Sequence, residues 1–206
     1  MNRPSAPLPA SFDRYAGWLA AACCVLATLG FAAALPEFSH AHHPLGLLGA
    51  AGVPGAALFN VLGFVVPGLL AAWVFVRMRA RLPVGAARWA GIGCWMLALS
   101  ALAFAAQGVW RLDPSDLDGP VSQRHATMWL LWWLAFAAGA LVLGVGLLRE
   151  RMWRAVATAF LVAFAIVVVL NVFPVFAGPI AQRVVLLVWL ASVIVASRSG
   201  GVIRIA

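Results

Sequence analysis

The chain has 206 residues, 65% of them hydrophobic and only 10% charged, with a mean hydropathy of +1.00. Soluble domains carry about 25% charged residues, so this composition excludes an ordinary soluble fold and points to a bilayer. The net charge of +8 rests on arginines scattered through short segments, with no lysine and no basic stripe; this excludes a nucleic-acid surface and reads as a topology signal with attraction to anionic lipid headgroups.

A membrane-spanning helix needs ~20 predominantly apolar residues. Six stretches qualify: Tyr15–Leu35, Val53–Val76, Trp89–Trp110, Ala126–Leu148, Ala155–Phe176 and Ile180–Ser197. The predicted fold class is all-α, a polytopic bundle of six transmembrane helices over 15–197, with short tails at 1–14 and 198–206. The first span ends in Ala32-Ala33-Ala34, which resembles a signal-peptide cleavage site. Its apolar stretch is about twice the usual 7–15 residues, so it reads as an uncleaved anchor. Of the fourteen arginines, eleven lie in the tails, the second-to-third loop and the fourth-to-fifth loop; Arg111, Arg124 and Arg183 lie on the other side. The positive-inside rule then places both termini in the cytoplasm. Absence of lysine beside abundant alanine suggests a GC-rich bacterial genome, hence a bacterial inner membrane. Trp73, Trp89 and Trp153 at inner boundaries, with Trp110 and Trp129 at outer ones, form aromatic belts. Cys23, Cys24 and Cys94 lack CxxC spacing and charged neighbours, so they read as small buried apolar residues.

The outer loops shrink along the chain, from Pro36–Gly52 to Arg111–His125 to Ala177–Pro179. The last is too short to hold a site. In the first, Pro44 suits the opening position of a short helix, whose Leu45, Leu47 and Leu48 would lie on the membrane or fold into the bundle. The same loop holds Ser39, His40, His42 and His43. Neutral imidazoles suit zinc or copper, but no zinc motif has this spacing, and a solvated interfacial turn is the competing reading. The second loop holds Asp113, Asp116 and Asp118 among turn signals, without the glycine and closing glutamate of a calcium loop. Ser122 is placed to cap the fourth span, with His125 one turn inside.

Strongly polar residues within the spans are few. Asn60, Gln107 and Asn171 all fall in the outer half. Amides in hydrocarbon need partners or a wet cavity, so their shared depth suggests one polar pocket opening outward; interhelical hydrogen bonding is the structural alternative. Ala56, Asn60, Gly63 and Pro67 share one face of the second span, a small-residue stripe suited to close packing. Pro67 should kink that helix, and Pro174 should kink or end the fifth. No ionisable residue lies at the centre of a span, which argues against a proton pump or voltage sensor. No Walker, HExxH or GxSxG pattern occurs.

Phe38-Ser39, then the run from Leu48 through Gly52-Val53-Pro54-Gly55 to Asn60, resembles a bacterial membrane family called domain of unknown function 998. So does Gly108 followed by Asp113, an acidic loop and His125. The resemblance covers most of the chain. It implies a six-helix bundle with Ser39, Asn60, Asp113 and His125 as the positions of interest, and no established activity. Gly46 departs from the serine expected in that motif, which bears on any mechanism needing a hydroxyl there.

Two functions follow as expectations. One is a lipid- or partner-binding membrane module with an outward polar His/Asp pocket, its partners being membrane lipids or another envelope protein and not nucleic acid. The other is an intramembrane metal-dependent hydrolase resembling the ceramidase superfamily. There His40, His43 and His125 would hold zinc, and Ser39, Asp113 and His125 would serve the chemistry on a lipid; bound zinc would bring its water to a pKa of ~7.

Overall fold

The computed structural model describes residues 10–83, 86 and 88–199, and these form helices without a strand. Most of the tails expected at 1–14 and 198–206 lies outside the described residues. Six helices are long and apolar enough to cross a membrane. They are α1 (Ala10–Ala34), α2 (Ala56–Ala80), α3 (Arg88–Gln107), α4 (Pro120–Leu147), α5 (Arg154–Val172) and α6 (Gly178–Arg198). At 1.5 Å per residue, the 20 residues of α3 reach ~30 Å, the thickness of the hydrocarbon core.

Proline chemistry sets several boundaries. α4 opens at Pro120, with Gly119 as its N-cap and no side-chain cap. The expectation that Ser122 caps this helix is therefore corrected. Proline's fixed φ and missing N–H suit the first helical turn, so the helix starts before the serine. α5 stops at Val172 and Phe173 is extended, φ −112° and ψ 138°, as a residue before proline prefers. The fifth span thus ends four residues short of the expected Phe176.

α2 is composite: an α turn (Ala56–Phe59), a π segment (Asn60–Val65) and a second α segment (Val66–Ala80). In the π register Val66 N–H reaches the Val61 carbonyl. Pro67, having no N–H, leaves the corresponding Leu62 carbonyl free within the helix. The Cys23 thiol of α1 donates to that carbonyl at 3.2 Å. Cys23 is therefore a hydrogen-bond donor as well as packing. The stripe of Ala56, Asn60, Gly63 and Pro67 is buried throughout.

Small residues let the helices approach. An added Cβ at Gly93 of α3 would lie 2.6 Å from the Leu143 nitrogen of α4, the backbone contact expected where membrane helices pack through glycine. Between the helices an aromatic column fills the core. Phe64 meets Phe104 at 5.2 Å between ring centroids, and Phe104 meets Trp132 at 5.2 Å and Trp189 at 4.5 Å.

One end of the bundle is tied by charge. Asp13, though only 6% exposed, pairs with Arg77 at 2.9 Å and accepts from Trp73 Nε1 at 3.0 Å. Arg81 donates to the Ala196 and Ser197 carbonyls at the end of α6. Ser197 Oγ in turn donates to the Arg14 carbonyl at 3.4 Å. The beginning of α1 and the end of α6 therefore share one face.

Candidate functional site

At the opposite end the first outer loop folds into the bundle. Its 3-10 turn, Leu45–Gly49, follows Pro44 as the N-cap. Leu45 and Leu48 are 3% and 1% exposed, so of the two expected settings the loop takes the inward one. Polar partners seat it. Leu45 N–H donates to Gln182 Oε1 of α6 at 2.9 Å, and Ala51 N–H to the Leu112 carbonyl of the second outer loop at 2.8 Å.

His125 lies beneath this turn, 9% exposed. Its Nδ1 is 3.2 Å from the Gln107 carbonyl and 2.9 Å from the Trp110 carbonyl. Both partners are acceptors, so Nδ1 carries the proton. Gln107 is the last residue of α3, where helical acceptors lack intrahelical partners, and Trp110 lies in the turn that follows; His125 satisfies both carbonyls from α4. A Cβ at Gly46 would lie 2.7 Å from His125 Nε2. The ring's remaining nitrogen thus abuts loop backbone, which accounts for glycine rather than serine at 46.

Asn60 and Gln107 are each 2% exposed. Asn60 Nδ2 donates to the Gly49 carbonyl at 2.8 Å, so the amide holds the loop down. Gln107 Nε2 meets no hydrogen-bond partner among the described residues. Asn171 stands apart from this arrangement. It is half-buried and donates back to Val167 of its own helix at 2.8 Å, because an amide in the last turn can satisfy the carbonyl four residues earlier. Of the three amides expected to line one pocket, Asn60 thus bonds the loop backbone and Asn171 its own helix.

The proposed catalytic and metal groups are likewise engaged separately. Ser39 Oγ accepts from Ala41 N–H at 3.3 Å, and Ser39 N–H donates to His43 Nδ1 at 3.0 Å. His40 Nδ1 accepts from Arg183 Nε at 3.3 Å. The Asp113 carboxylate accepts from the Ser115 hydroxyl at 2.6 Å and its N–H at 3.0 Å. These bonds, the hydroxyl first, hold its pKa below the ordinary carboxylate value. Ser122 Oγ exchanges hydrogen bonds with the Asp113 backbone. The structure shows no hydrogen bond joining Ser39, Asp113 and His125. Among the described residues no three His, Cys, Asp or Glu side chains are grouped to hold a metal. The rings of the expected zinc set, His40, His43 and His125, are thus engaged separately: His43 accepts within the loop's own turn, His40 accepts from Arg183 of α6, and His125 meets the Gln107 and Trp110 carbonyls.

Two residues that organise this face were not singled out from sequence. Gln182 anchors Leu45, and Arg183 donates to the His43 carbonyl at 2.9 Å while its guanidinium lies 5.8 Å from the Phe38 ring centroid. Their adjacency near the outer end of an otherwise apolar span was the available signal.

A second feature lies at the other end of α2 and α3. A cavity of about 480 Å³ is bordered by Arg79, Arg88, Gly91 and Trp95. A separate apolar groove of about 430 Å³, also bordered by Trp95, is lined by Leu69, Val76, Leu99 and Leu102. The Arg79 guanidinium lies over the Trp95 ring at 5.2 Å. Sequence counting had used these arginines only for topology.

The fold defines a polytopic protein with six helices long and apolar enough to cross a membrane, a loop-packed face at one end and a grooved, arginine-edged face at the other. No protein-family model, curated protein or solved structure matches the chain.

Proposed function

We propose that this chain is a non-catalytic lipid-binding module of the bacterial inner membrane, with both termini cytoplasmic, and that it belongs to the domain of unknown function 998 family. The observation that carries the lipid reading is an arginine-edged cavity and an apolar groove between α2 and α3 that have Trp95 as a common wall. A polar recess beside an apolar channel matches an amphipathic lipid in both chemistry and order. The hydrolase reading gains no comparable support, because Ser39, Asp113 and His125 are each committed to local structure.

The test is native mass spectrometry of the full chain released from a mild detergent after purification. The module reading expects discrete lipid adducts that survive delipidating washes. A protein that emerges lipid-free and takes up none on addition of mixed phospholipids overturns it. Cleavage of an added phospholipid, abolished by His125→Ala in folded protein, would favour the hydrolase instead.

A further inference from the structure

We infer that the groove selects an anionic diacylglycerophospholipid of the cytoplasmic leaflet, its phosphate held by Arg79 and Arg88; this rests on the lipid-binding reading. The placement begins in the sequence. On α3, positions 88, 91, 92, 95, 98, 99 and 102 follow one another by three or four residues and form a continuous face. On α2, positions 69, 72, 73, 76 and 79 do the same. The two faces border the two cavities, which have Trp95 as a common wall. From Arg88 to Leu102 the seam runs ~21 Å at 1.5 Å per residue. One leaflet is about half of the ~30 Å core, so the seam is long enough for an acyl chain from a headgroup placed at Arg88.

The charge is available. Among the described residues the ion pair is Arg77 with Asp13, and neither Arg79 nor Arg88 takes part in it. Both are exposed, at the end of the bundle where arginines are densest. Arg79 reaches across from α2 to α3: its Nε lies 3.9 Å from where a Cβ on Gly91 would sit. Trp95 positions the guanidinium by its ring face and borders both the polar recess and the apolar groove. The first turn of α3, starting at Arg88, adds the partial positive charge of a helix N-terminus. A phosphodiester with a net negative lipid headgroup satisfies this end, and exposed Leu99 and Leu102, each 48% exposed, meet the chain below. A zwitterionic lipid would bring an ammonium group into the same positive recess.

The experiment compares phosphatidylglycerol with phosphatidylcholine of the same acyl chains, titrated onto delipidated full-length protein and read by native mass spectrometry. Each arginine near an anionic surface contributes roughly fivefold in affinity. Wild type should therefore prefer phosphatidylglycerol by at least about tenfold, and R79Q/R88Q should reduce that preference to within about twofold. R151Q/R154Q, which removes two exposed arginines outside the cavity, should keep the preference. Melting temperature confirms that each variant is folded, and single substitutions replace the double if it is not. Equal retention of both lipids by wild type overturns the headgroup assignment while leaving lipid binding intact. Loss of preference in R151Q/R154Q as large as in R79Q/R88Q overturns the site in favour of diffuse attraction. Absence of binding to either lipid overturns the underlying reading as well.

Discussion

Replacing Gly49 by alanine tests whether the first outer loop is a packed part of the bundle. An added methyl would fall on the Asn60 amide, which is 2% exposed and donates to the Gly49 carbonyl at 2.8 Å. Either the loop lifts or the amide turns away. Overpacking costs about 1–3 kcal/mol, and leaving a buried polar group unpaired costs about another 1–3 kcal/mol. On the scale of about 2–4 °C per kcal/mol for a chain of this size, G49A should melt roughly 5–20 °C below wild type. N60A loses the bond but clears the space, at about 1–3 kcal/mol. In G49A/N60A the methyl enters the vacated volume, so the double variant should melt near N60A alone, a coupling as large as the whole cost of G49A. Gly30, where an added Cβ meets nothing within 4 Å, supplies the control: G30A should be neutral or slightly stabilising, since alanine is the better helix former. Intrinsic tryptophan fluorescence in detergent follows all four proteins. Strict additivity of G49A and N60A, or a G49A melt indistinguishable from G30A, would refute the close seating of the loop.

Other outcomes follow from the same geometry. A cysteine at position 116 in a cysteine-free background should react with an impermeant maleimide in spheroplasts, because the arginine bias puts this loop outside; labelling only after lysis reverses the orientation. Asp113 carries a depressed pKa through its Ser115 bonds, so the loop stabilisation it provides is present above the ordinary carboxylate value and fades as pH falls through the depressed one. NMR titration should find the Asp113 pKa raised in S115A with the melting temperature unchanged, since the carboxylate is exposed; an unmoved pKa excludes the Ser115 bond. H125F should lower the melting temperature by several degrees, because two carbonyls at the end of α3 lose their donor at about 1–3 kcal/mol; an unchanged melt means that His125 does not cap α3. D13A should be worse than R77A, because it strips partners from both Trp73 and Arg77; the reverse order in thermal melts would show that the buried carboxylate is not the hub of that cluster.

The six spans were legible because long apolar stretches are a requirement of the bilayer, independent of what packs against them. Boundaries were less so where proline chemistry competes with hydropathy. Pro120 starts α4 six residues before the apolar stretch that begins at Ala126, and Pro174 ends α5 early. The burial of Asn60 and Gln107 was readable from the cost of an amide in hydrocarbon. Asn171 carries the same cost and meets it within its own helix, a choice that residue type and depth do not distinguish. The π segment at Asn60–Val65 had only Pro67 as a signal.

The outer histidines show why residue type overstated chemistry here. A histidine near a carboxylate and a serine in sequence is a catalytic suggestion only if the backbone leaves their functional atoms free. In this fold the end of α3 presents unpaired carbonyls at the level where α4 presents His125, and the imidazole goes to them. Gly46 then brings backbone against its other nitrogen. The demand for backbone satisfaction in a membrane consumes the polar groups that would otherwise look like an active site. At the other end Arg77 and Arg81 are engaged internally, by Asp13 and by the Ala196 and Ser197 carbonyls, whereas Arg79 and Arg88 are exposed beside the first turn of α3, where N–H groups lack intrahelical acceptors. An anion can pair with those two guanidinium groups and with the helix N-terminus together, so that edge is where an external ligand has something to gain.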